Sequence, residues 1–311
     1  MLNIAGLKLP MIANEMVTGD VFFADSNGKY GTANNTNDGK HPSRPLSTWD
    51  GGVNKCTASR GDYILLMPGH TESIIAAAGL DLDIIGVTTV GLGYGDLRPT
   101  ITFSTATTAD MDIDAASITI RNVLFVNGID NLTAPIDVNA AAFTMIDCET
   151  RDNDSTLHCD DFIFADGGAH RMTLLNWTHR ANTGKTGPLA ALTMRGGAED
   201  MIVVPRWIDG DFSVGCIRND STASAQIQIF GSAEWPAYMR TRNAADVIAT
   251  CVATTKGRFG PYLNLRLNDD AANITECLVG ADMEFFAPIS IVNADGERSI
   301  EFNATQSADS A

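Results

Sequence analysis

Short stretches of alternating apolar and polar residues, each ending in a turn-forming residue, recur through the middle of the chain. Five such segments align, and their first apolar positions are Ile118, Phe143, Met172, Met201 and Ile227. They recur at intervals of 25 to 29 residues, and the residue four positions later is Asn, Asp, Pro or Gly. Alternation with a period of two predicts a half-buried strand, and these residue types favour turns. The repeat therefore predicts the coils of a parallel β-solenoid.

Other repeat folds agree less well with the pattern. Leucine-rich repeats need recurring Leu and Asn positions, propeller blades need about 40 residues or more, and helical repeats need a period of 3.6 residues. In a parallel solenoid the coils stack about 4.8 Å apart. We therefore expect the aligned apolar positions to form columns inside the coil, and corner Asn and Asp side chains to hydrogen-bond to the next coil.

The region before the repeats predicts a cap. Residues 63–67 form an apolar run that stops at a Pro-Gly pair, which indicates a buried strand closed by a turn. Residues 41–62 predict a turn and a short amphipathic helix, with Ser47 or Thr48 as its N-cap. The residues expected to share the apolar face of this helix are Leu46, Trp49, Val53 and Cys56. A solenoid needs a cap because its open end exposes apolar surface and unpaired strand edges.

Two motifs frame this helix. The first reads D-G-x-x-P-x-x-P-L-x-T and the second G-D-x-I-x-x-x-P-G, at Asp38, Gly39, Pro42, Pro45, Leu46, Thr48, Gly61, Asp62, Ile64, Pro68 and Gly69. Their order resembles the N-terminal part of right-handed parallel β-helix proteins of the pectate-lyase-like superfamily, of the type found in bacteriophage virions. The chain is thus expected to be all-β: a right-handed parallel β-helix with an N-terminal capping helix and a C-terminal β cap or extension.

The pattern divides the chain into three regions. Residues 1–36 are expected to form an N-terminal arm that is ordered against another subunit, and residues 37–235 the parallel β-helix with its cap. Residues 236–311 are expected to form a C-terminal β cap or oligomerisation region with a polar tail. The corner pattern fades in this last region, although residues 267–276 echo it. A solenoid that resumes after an insertion is therefore the alternative to a separate cap.

The charge of the chain limits its partners. Its 38 Asp and Glu residues outnumber 21 Lys and Arg, which gives a net charge of −17. Such a surface repels nucleic acid and anionic membranes, so we expect neither as a partner. It suits a basic partner, or it is a solvated acidic surface. Residues 1–20 lack the basic segment and apolar core of a signal peptide, and we expect synthesis in the host bacterial cytoplasm without secretion.

The cysteines predict free thiols. All six lie outside the paired CxxC spacing that is typical of zinc sites. Cys148 and Cys159 lie near His158, Asp160 and Asp161, which is a weak hint of a metal. Buried thiols in a reducing compartment explain the pattern better, and we expect no metal and no cofactor.

Enzymes with the fold that the resemblance implies usually act on polysaccharides. Hydrolases need an acid and a base or nucleophile, both carboxyl groups, and lyases need a base and commonly Ca²⁺. The weak catalytic candidates are Glu149, Asp152, Asp161 and Asp209. Neighbouring acids are Asp154, Asp160 and Asp211, and His158, His179, Arg180 and Arg206 complete the possible set. Because acidic residues are so numerous, carboxylates on neighbouring coils are expected by chance, and we predict no catalytic residue.

Two tryptophans follow aligned corners. Trp177 lies one residue past its corner and Trp207 lies two residues past the next one. They are weak candidates for a strip that stacks against sugar rings. The alternative is that they are core or interface aromatic residues.

The resemblance implies a structural role. We expect a non-enzymatic virion protein of a tailed bacteriophage, most simply a capsid decoration or cement protein that binds and stabilises the head surface. Its expected partners are its own copies, as a homotrimer, and the major capsid protein or another virion protein, and its expected location is the virion. The alternative function is that of a tailspike or depolymerase that binds or degrades carbohydrate.

Overall fold

A computed structural model shows that the chain is a nearly all-β protein built as a parallel β-solenoid. The structure describes residues 2–4, 7–9, 11–12, 15–77, 79–181, 188–221, 226–242, 248–251, 256–266, 278–279, 283–292 and 298–301. Within these ranges, no helix has the length and hydrophobicity needed to cross a membrane.

The elements follow one another as short strands. The first are β1 (Leu2–Ile4), β2 (Leu7–Leu9), β3 (Met11–Ile12), β4 (Glu15–Met16), β5 (Val21–Ala24), α1 (Trp49–Val53), β6 (Tyr63–Leu66), β7 (Thr71–Ile74), β8 (Leu80–Asp81) and β9 (Thr88–Gly91). After a 3₁₀ turn at Gly95–Leu97 come β10 (Thr100–Phe103), β11 (Met111–Ile113), β12 (Thr119–Arg121), β13 (Leu124–Asn127), β14 (Ile136–Val138), β15 (Thr144–Ile146), β16 (Glu149–Asp152), β17 (Asp161–Ala165), β18 (Thr173–Arg180) and β19 (Ala190–Met194). The last are β20 (Met201–Gly210), β21 (Ile217–Asn219), β22 (Gln226–Ile229), β23 (Ala237–Thr241), β24 (Ala249–Cys251), β25 (Lys256–Phe259), β26 (Leu263–Arg266), β27 (Leu278–Val279), β28 (Met283–Phe285), β29 (Ile289–Val292) and β30 (Arg298–Glu301).

The strands form three parallel faces. The first face stacks β5, β6, β9, β12, β15, the first half of β18, the first half of β20, β22, β25 and β28. The second stacks β7, β10, β13, β16, the second halves of β18 and β20, β23, β26 and β29. The third stacks β8, β11, β14, β17, β19, β21, β24 and β27. Each turn of the chain thus contributes to every face.

The predicted apolar column is confirmed on the first face. Met201 is in register with Ile227, and the three earlier members directly precede residues that are in register from turn to turn. Each side chain is at most 1% exposed. The members of this column are Ile118, Phe143, Met172, Met201 and Ile227. Inward positions alternate with outward ones because successive side chains of a strand point to opposite sides. The core is therefore a continuous cylinder of stacked apolar side chains.

The corner between the first and second faces depends on residues that adopt a left-handed backbone. Asn122, Asp147 and Asn176 have φ angles of 53°, 55° and 52°, a region that Asn and Asp enter more easily than other non-glycine residues. The Asn122 side-chain amide donates hydrogen bonds to the carbonyls of Gly91 and Gly93, at 2.8 and 2.9 Å. The Asn176 amide donates to the Asp147 carboxylate. The predicted hydrogen bonds between corners of successive coils are confirmed.

We expect Asn122→Ala to lower the free energy of unfolding by about 2 kcal/mol, since it loses two hydrogen bonds and Ala adopts the left-handed backbone less easily than Asn. Asn122→Gly loses the same hydrogen bonds but tolerates the backbone, so its loss should be about half as large. Urea unfolding of both variants measures the difference. Equal losses would contradict the assigned role of the left-handed backbone.

The N-terminal cap forms as predicted, with a wider boundary. Thr48, not Ser47, is the N-cap of α1, and its side chain accepts a hydrogen bond from the Gly51 amide at 2.9 Å. The predicted apolar face is buried, with Cys56 partly so, and consists of Leu46, Trp49, Val53 and Cys56. Residues 17–36 were expected within an arm, but they join this cap. The reason is that β5 pairs in parallel with β6 and buries Phe22 in the core.

The described strands beyond residue 236 extend the solenoid. β23 to β29 continue the parallel registers of all three faces, and β30 pairs antiparallel to β29. They follow the alternative of a resumed solenoid more closely than a separate sheet. The echo noted at residues 267–276 lies outside the described residues.

Candidate functional site

A cavity of about 590 Å³ lies at the corner between the first and second faces. Corner residues of three successive turns line it, together with outward side chains of the second face and the loop between β9 and β10. The full lining is Tyr94, Arg98, Asn122, Asp147, Cys148, Glu149, Asn176, Thr178, Arg180, Arg206 and Trp207. Guanidinium groups, amides, carboxylates and aromatic rings therefore meet in one place.

Glu149 occupies the centre of the charges in this cavity. Its carboxylate lies 3.3 Å from the Arg98 guanidinium, 3.8 Å from that of Arg151 and 4.0 Å from that of Arg180. Arg98 also donates to the backbone carbonyl of Asp147. The carboxylate of Glu149 therefore serves to orient these arginines.

Trp207 presents an aromatic surface to the cavity. It is an outward residue of the second face, in register with Thr178 on one side and Tyr238 on the other. Its ring stacks on Tyr238, with centroids 4.0 Å apart and an interplanar angle of 21°. The small Thr178 side chain leaves space on the opposite side. The prediction that Trp207 contacts carbohydrate stays a prediction.

Trp177 lies in the core, which was the alternative for this residue. It is fully buried, and its indole N–H donates to the Thr150 hydroxyl at 2.9 Å. The same hydroxyl lies 2.8 Å from Nδ1 of His179. Burial lowers the pKa of His179 to about 3, so this imidazole is a neutral core residue and cannot serve as a surface base. A bound ligand cannot reach either ring.

The remaining catalytic candidates are held by structural contacts on separate faces. Asp209 forms a bidentate pair with Arg242, at 2.8 and 2.7 Å. Asp152 accepts a hydrogen bond from the Asn127 amide at 2.8 Å. Asp161 lies on the third face, where it accepts a 2.6 Å hydrogen bond from Thr193. Only Glu149 lines the corner cavity, while Asp209 lines a neighbouring one of about 440 Å³ with Arg180 and Trp207.

The weak hint of a metal is not supported by the geometry of the described residues. Nδ1 of His158 lies 2.9 Å from Asp130, and Nε2 lies 3.6 Å from Asp160. Cys148 and Cys159 are buried, and burial raises the pKa of both thiols, to about 12 for Cys148. In the described ranges, no three His, Cys, Asp or Glu side chains are arranged to hold a metal ion.

The chain matches no protein-family model, no curated protein and no solved structure.

Several residues of the site were not found from the sequence. Tyr94 and Arg98 reach the cavity from the loop between β9 and β10, which precedes the aligned segments, so the repeat gave no signal for them. Tyr238 stands one turn after Trp207, and extending the alignment past the corner would have found it. Trp235, which is 70% exposed, lines an adjoining cavity of about 310 Å³ with Arg206.

The third face carries a separate column of carboxylates, at Asp81, Asp112 and Asp137, which are in register on successive turns. Burial is the main cause that raises the pKa of all three, and nearby aspartates add to it. The pKa of Asp112 and that of Asp137 reach about 6. The folded state thus binds more protons than the unfolded state between about pH 4 and pH 6, so these groups lower stability as pH rises through that window.

We expect Asp112→Asn and Asp137→Asn each to raise the free energy of unfolding at pH 7 by about 1 kcal/mol, after allowance for solvent screening. At pH 4 the native carboxyls are protonated and the gain should vanish. Urea unfolding at both pH values checks this, with the exposed Asp96→Asn as a control that changes little. A loss of stability at pH 7 would contradict the prediction.

Proposed function

We propose that the protein is a non-enzymatic structural component of a bacteriophage virion, acting as a decoration or cement protein on the head surface. The observation that carries the proposal is the state of the four catalytic candidates. Glu149 lies among arginines, while Asp152, Asp161 and Asp209 each accept hydrogen bonds that hold parts of the solenoid together. Their geometry serves structure, and they belong to two different faces.

The architecture agrees with such a role. Stacked parallel strands leave few unpaired edges, and the cap covers the first turn, so a stable rod presents long side surfaces. Copies that pack side by side through those surfaces would give the homotrimer that we propose. The net charge of −17 favours a basic docking surface on the capsid protein.

A polysaccharide-degrading role is less consistent with the site. Hydrolysis needs a protonated acid facing a base or nucleophile across the scissile bond. In the corner cavity Glu149 has guanidinium groups around it, and none of the other three catalytic candidates lines this cavity. The exposed Trp207 ring and the polar lining favour binding of a carbohydrate as the second candidate function.

The experiment that tests the structural role is analysis of purified particles. Mass spectrometry should find the protein in gradient-purified virions, and microscopy should place it on the head as a trimer. Particles that lack the protein should release their genome at a lower temperature. Absence of the protein from purified particles would overturn the proposal.

An activity assay addresses the alternative. Incubation of the protein with host polysaccharide should give no shortened products. Turnover that Glu149→Gln or Asp161→Asn abolishes would replace the structural role with an enzymatic one.

A further inference from the structure

The outward surface of the first face is almost without charge. Its residues form two columns that are in register from turn to turn, and we call the two columns together the first-face strip. One column, from β5 to β20, consists of Phe23, Leu65, Val90, Arg121, Ile146, Leu175 and Val204. The other, from β5 to β22, consists of Val21, Tyr63, Thr88, Thr119, Thr144, Thr173, Ile202 and Gln228. Arg121 is the single charged residue among them.

The outward positions of the other two faces differ from this strip. The third face carries its column of aspartates, and the second face carries a column with a charge on five successive turns. The members of that second-face column are Arg151, Arg180, Asp209, Arg240 and Arg266. Charged residues make up 19% of the chain and belong mostly to its surface. A contiguous outward strip that holds one charge is therefore typical of a surface that another protein covers.

The first turns show what such a cover does. Val17, which precedes β5, packs on Leu65 and Val90 of the strip, and each of these two side chains is only 7% exposed. Further along the same column, Leu175 and Val204 are partly exposed. The chain itself thus covers the first turns of the strip and leaves later turns accessible to a partner.

We propose that the first-face strip is the surface through which copies of this chain pack against one another in the homotrimer. The inference rests on the oligomer proposed above and names its interface. The solenoid axes run side by side, and the outward side chains of β15, β18 and β20 lie nearest the trimer axis. Every copy has the same coil spacing of about 4.8 Å, so the ridges of one copy match the grooves of the next. Arg121 lies at one end of the accessible turns, which leaves the centre of the contact uncharged.

Charge favours a second copy as the occupant. Each copy carries a net charge of −17, so copies repel one another at a distance. Contact through the third face would bring Asp112 and Asp137 towards the acidic surface of a neighbour, where like charges oppose each other. A basic partner would in turn bind those carboxylates rather than an uncharged strip. The first-face strip is therefore the surface at which two acidic copies approach with the least repulsion.

The test is the oligomeric state of the full chain, measured by sedimentation velocity and native mass spectrometry over a range of concentrations. We expect a trimer. Leu175→Asp places an unpaired carboxylate in the apolar contact, and the concentration at half-dissociation should rise at least about 100-fold. The matched control is Leu124→Asp, since Leu124 is also an outward, partly exposed leucine but lies on the second face. This control should assemble as the wild-type protein does.

A neutral substitution maps the contact without opposing it. Thr173→Cys places a thiol in the strip beside Leu175, and a short bismaleimide should link copies of this variant covalently. Thr102→Cys, at an outward position of β10 on the second face, should give no more cross-linking than the native cysteines of the wild-type protein. Circular dichroism of every variant checks that the fold is retained.

Ionic strength gives a further readout. Added salt screens the repulsion between acidic copies and leaves apolar contact in place, so the trimer should dissociate less at high ionic strength. A trimer that salt dissociates would be held by ion pairs, and the strip would not be its interface.

Three further outcomes would overturn the proposal. A trimer that Leu175→Asp leaves intact and that Thr173→Cys fails to cross-link would have another interface. A monomeric wild-type protein would overturn both the strip contact and the homotrimer. A monomer whose attachment to particles is lost in Leu175→Asp would show that the strip binds a virion protein instead of a second copy. Mass spectrometry of purified particles decides the virion role separately, so failure of the interface is distinguishable from failure of the structural function.

Discussion

Phe143→Ala is expected to lower the free energy of unfolding by about 4 kcal/mol, which is typical of removing a large side chain from a rigid core. Phe143 is fully buried and lies between Ile118 and Met172 in the column of the first face. The coils above and below hold their positions through backbone hydrogen bonds, so they cannot move inward to fill the cavity. Urea or thermal unfolding, followed by circular dichroism, measures the loss.

The adjacent residue provides the matched control. Thr144, the first residue of β15, directly follows Phe143 but points outward and is partly exposed, so Thr144→Ala should change stability by no more than about 0.5 kcal/mol. Phe143→Leu removes less volume, so its loss in the free energy of unfolding should fall between those of Phe143→Ala and Thr144→Ala. If Phe143→Ala and Thr144→Ala had similar effects, the inward column could not be the source of stability.

The first face could be predicted because its signals are local. Alternation of apolar residues indicates which positions of a strand point inward. The turn-forming residue four positions later indicates where the coil bends, as Asn122, Asp147 and Asn176 do. Neither inference requires knowledge of how distant segments are aligned.

The corner cavity could not be predicted in the same way, because it depends on register between turns and on loop lengths. Arg98 reaches Glu149 across 51 residues of sequence, and Tyr94 enters from the loop between β9 and β10. The two tryptophans show how strand register determines whether a side chain is buried or exposed. Trp177 follows its corner by one residue and Trp207 follows the next by two, so Trp207 aligns with Thr178. A shift of one residue moves a side chain to the opposite side of a strand, which explains why one ring is buried and the other exposed.

Residues 17–36 join the cap through contacts between segments that are distant in sequence. β5 pairs with β6 and buries Phe22. A polar contact is added by Asp62, which lies in the second of the two motifs that frame α1 and is fully buried. Its carboxylate accepts hydrogen bonds from the backbone amides of Asp20 and Thr57, both at 2.7 Å. Arg60 donates two more, at 2.6 and 2.7 Å.

Asp62→Ala is therefore expected to lower the free energy of unfolding by about 3 kcal/mol, because it leaves buried amide donors unsatisfied and removes the charge that faces Arg60. Asp62→Asn, which keeps one acceptor oxygen, should lose about 2 kcal/mol. Asp38 provides the control, since it also pairs with an arginine of the cap, Arg44, but is exposed. Asp38→Asn should lose no more than about 0.5 kcal/mol.

The pH dependence of the free energy of unfolding distinguishes the effect of the Asp62 charge from the effect of its shape. Burial by itself would raise the pKa of Asp62, but the hydrogen bonds from Arg60, Thr57 and Asp20 outweigh it and lower the pKa below its usual 3.8. A carboxyl whose folded pKa is lowered contributes stability that is present above the unfolded value and is lost as pH falls through the folded one. The difference in the free energy of unfolding between the wild-type protein and Asp62→Asn should thus be constant from pH 5 to pH 7. It should shrink as the pH falls below about 4. If this difference in stability persisted undiminished in acid, Asp62 would act through its shape and hydrogen-bond acceptors alone. The ionised carboxylate would then no longer explain how residues 17–25 are held against the first turn.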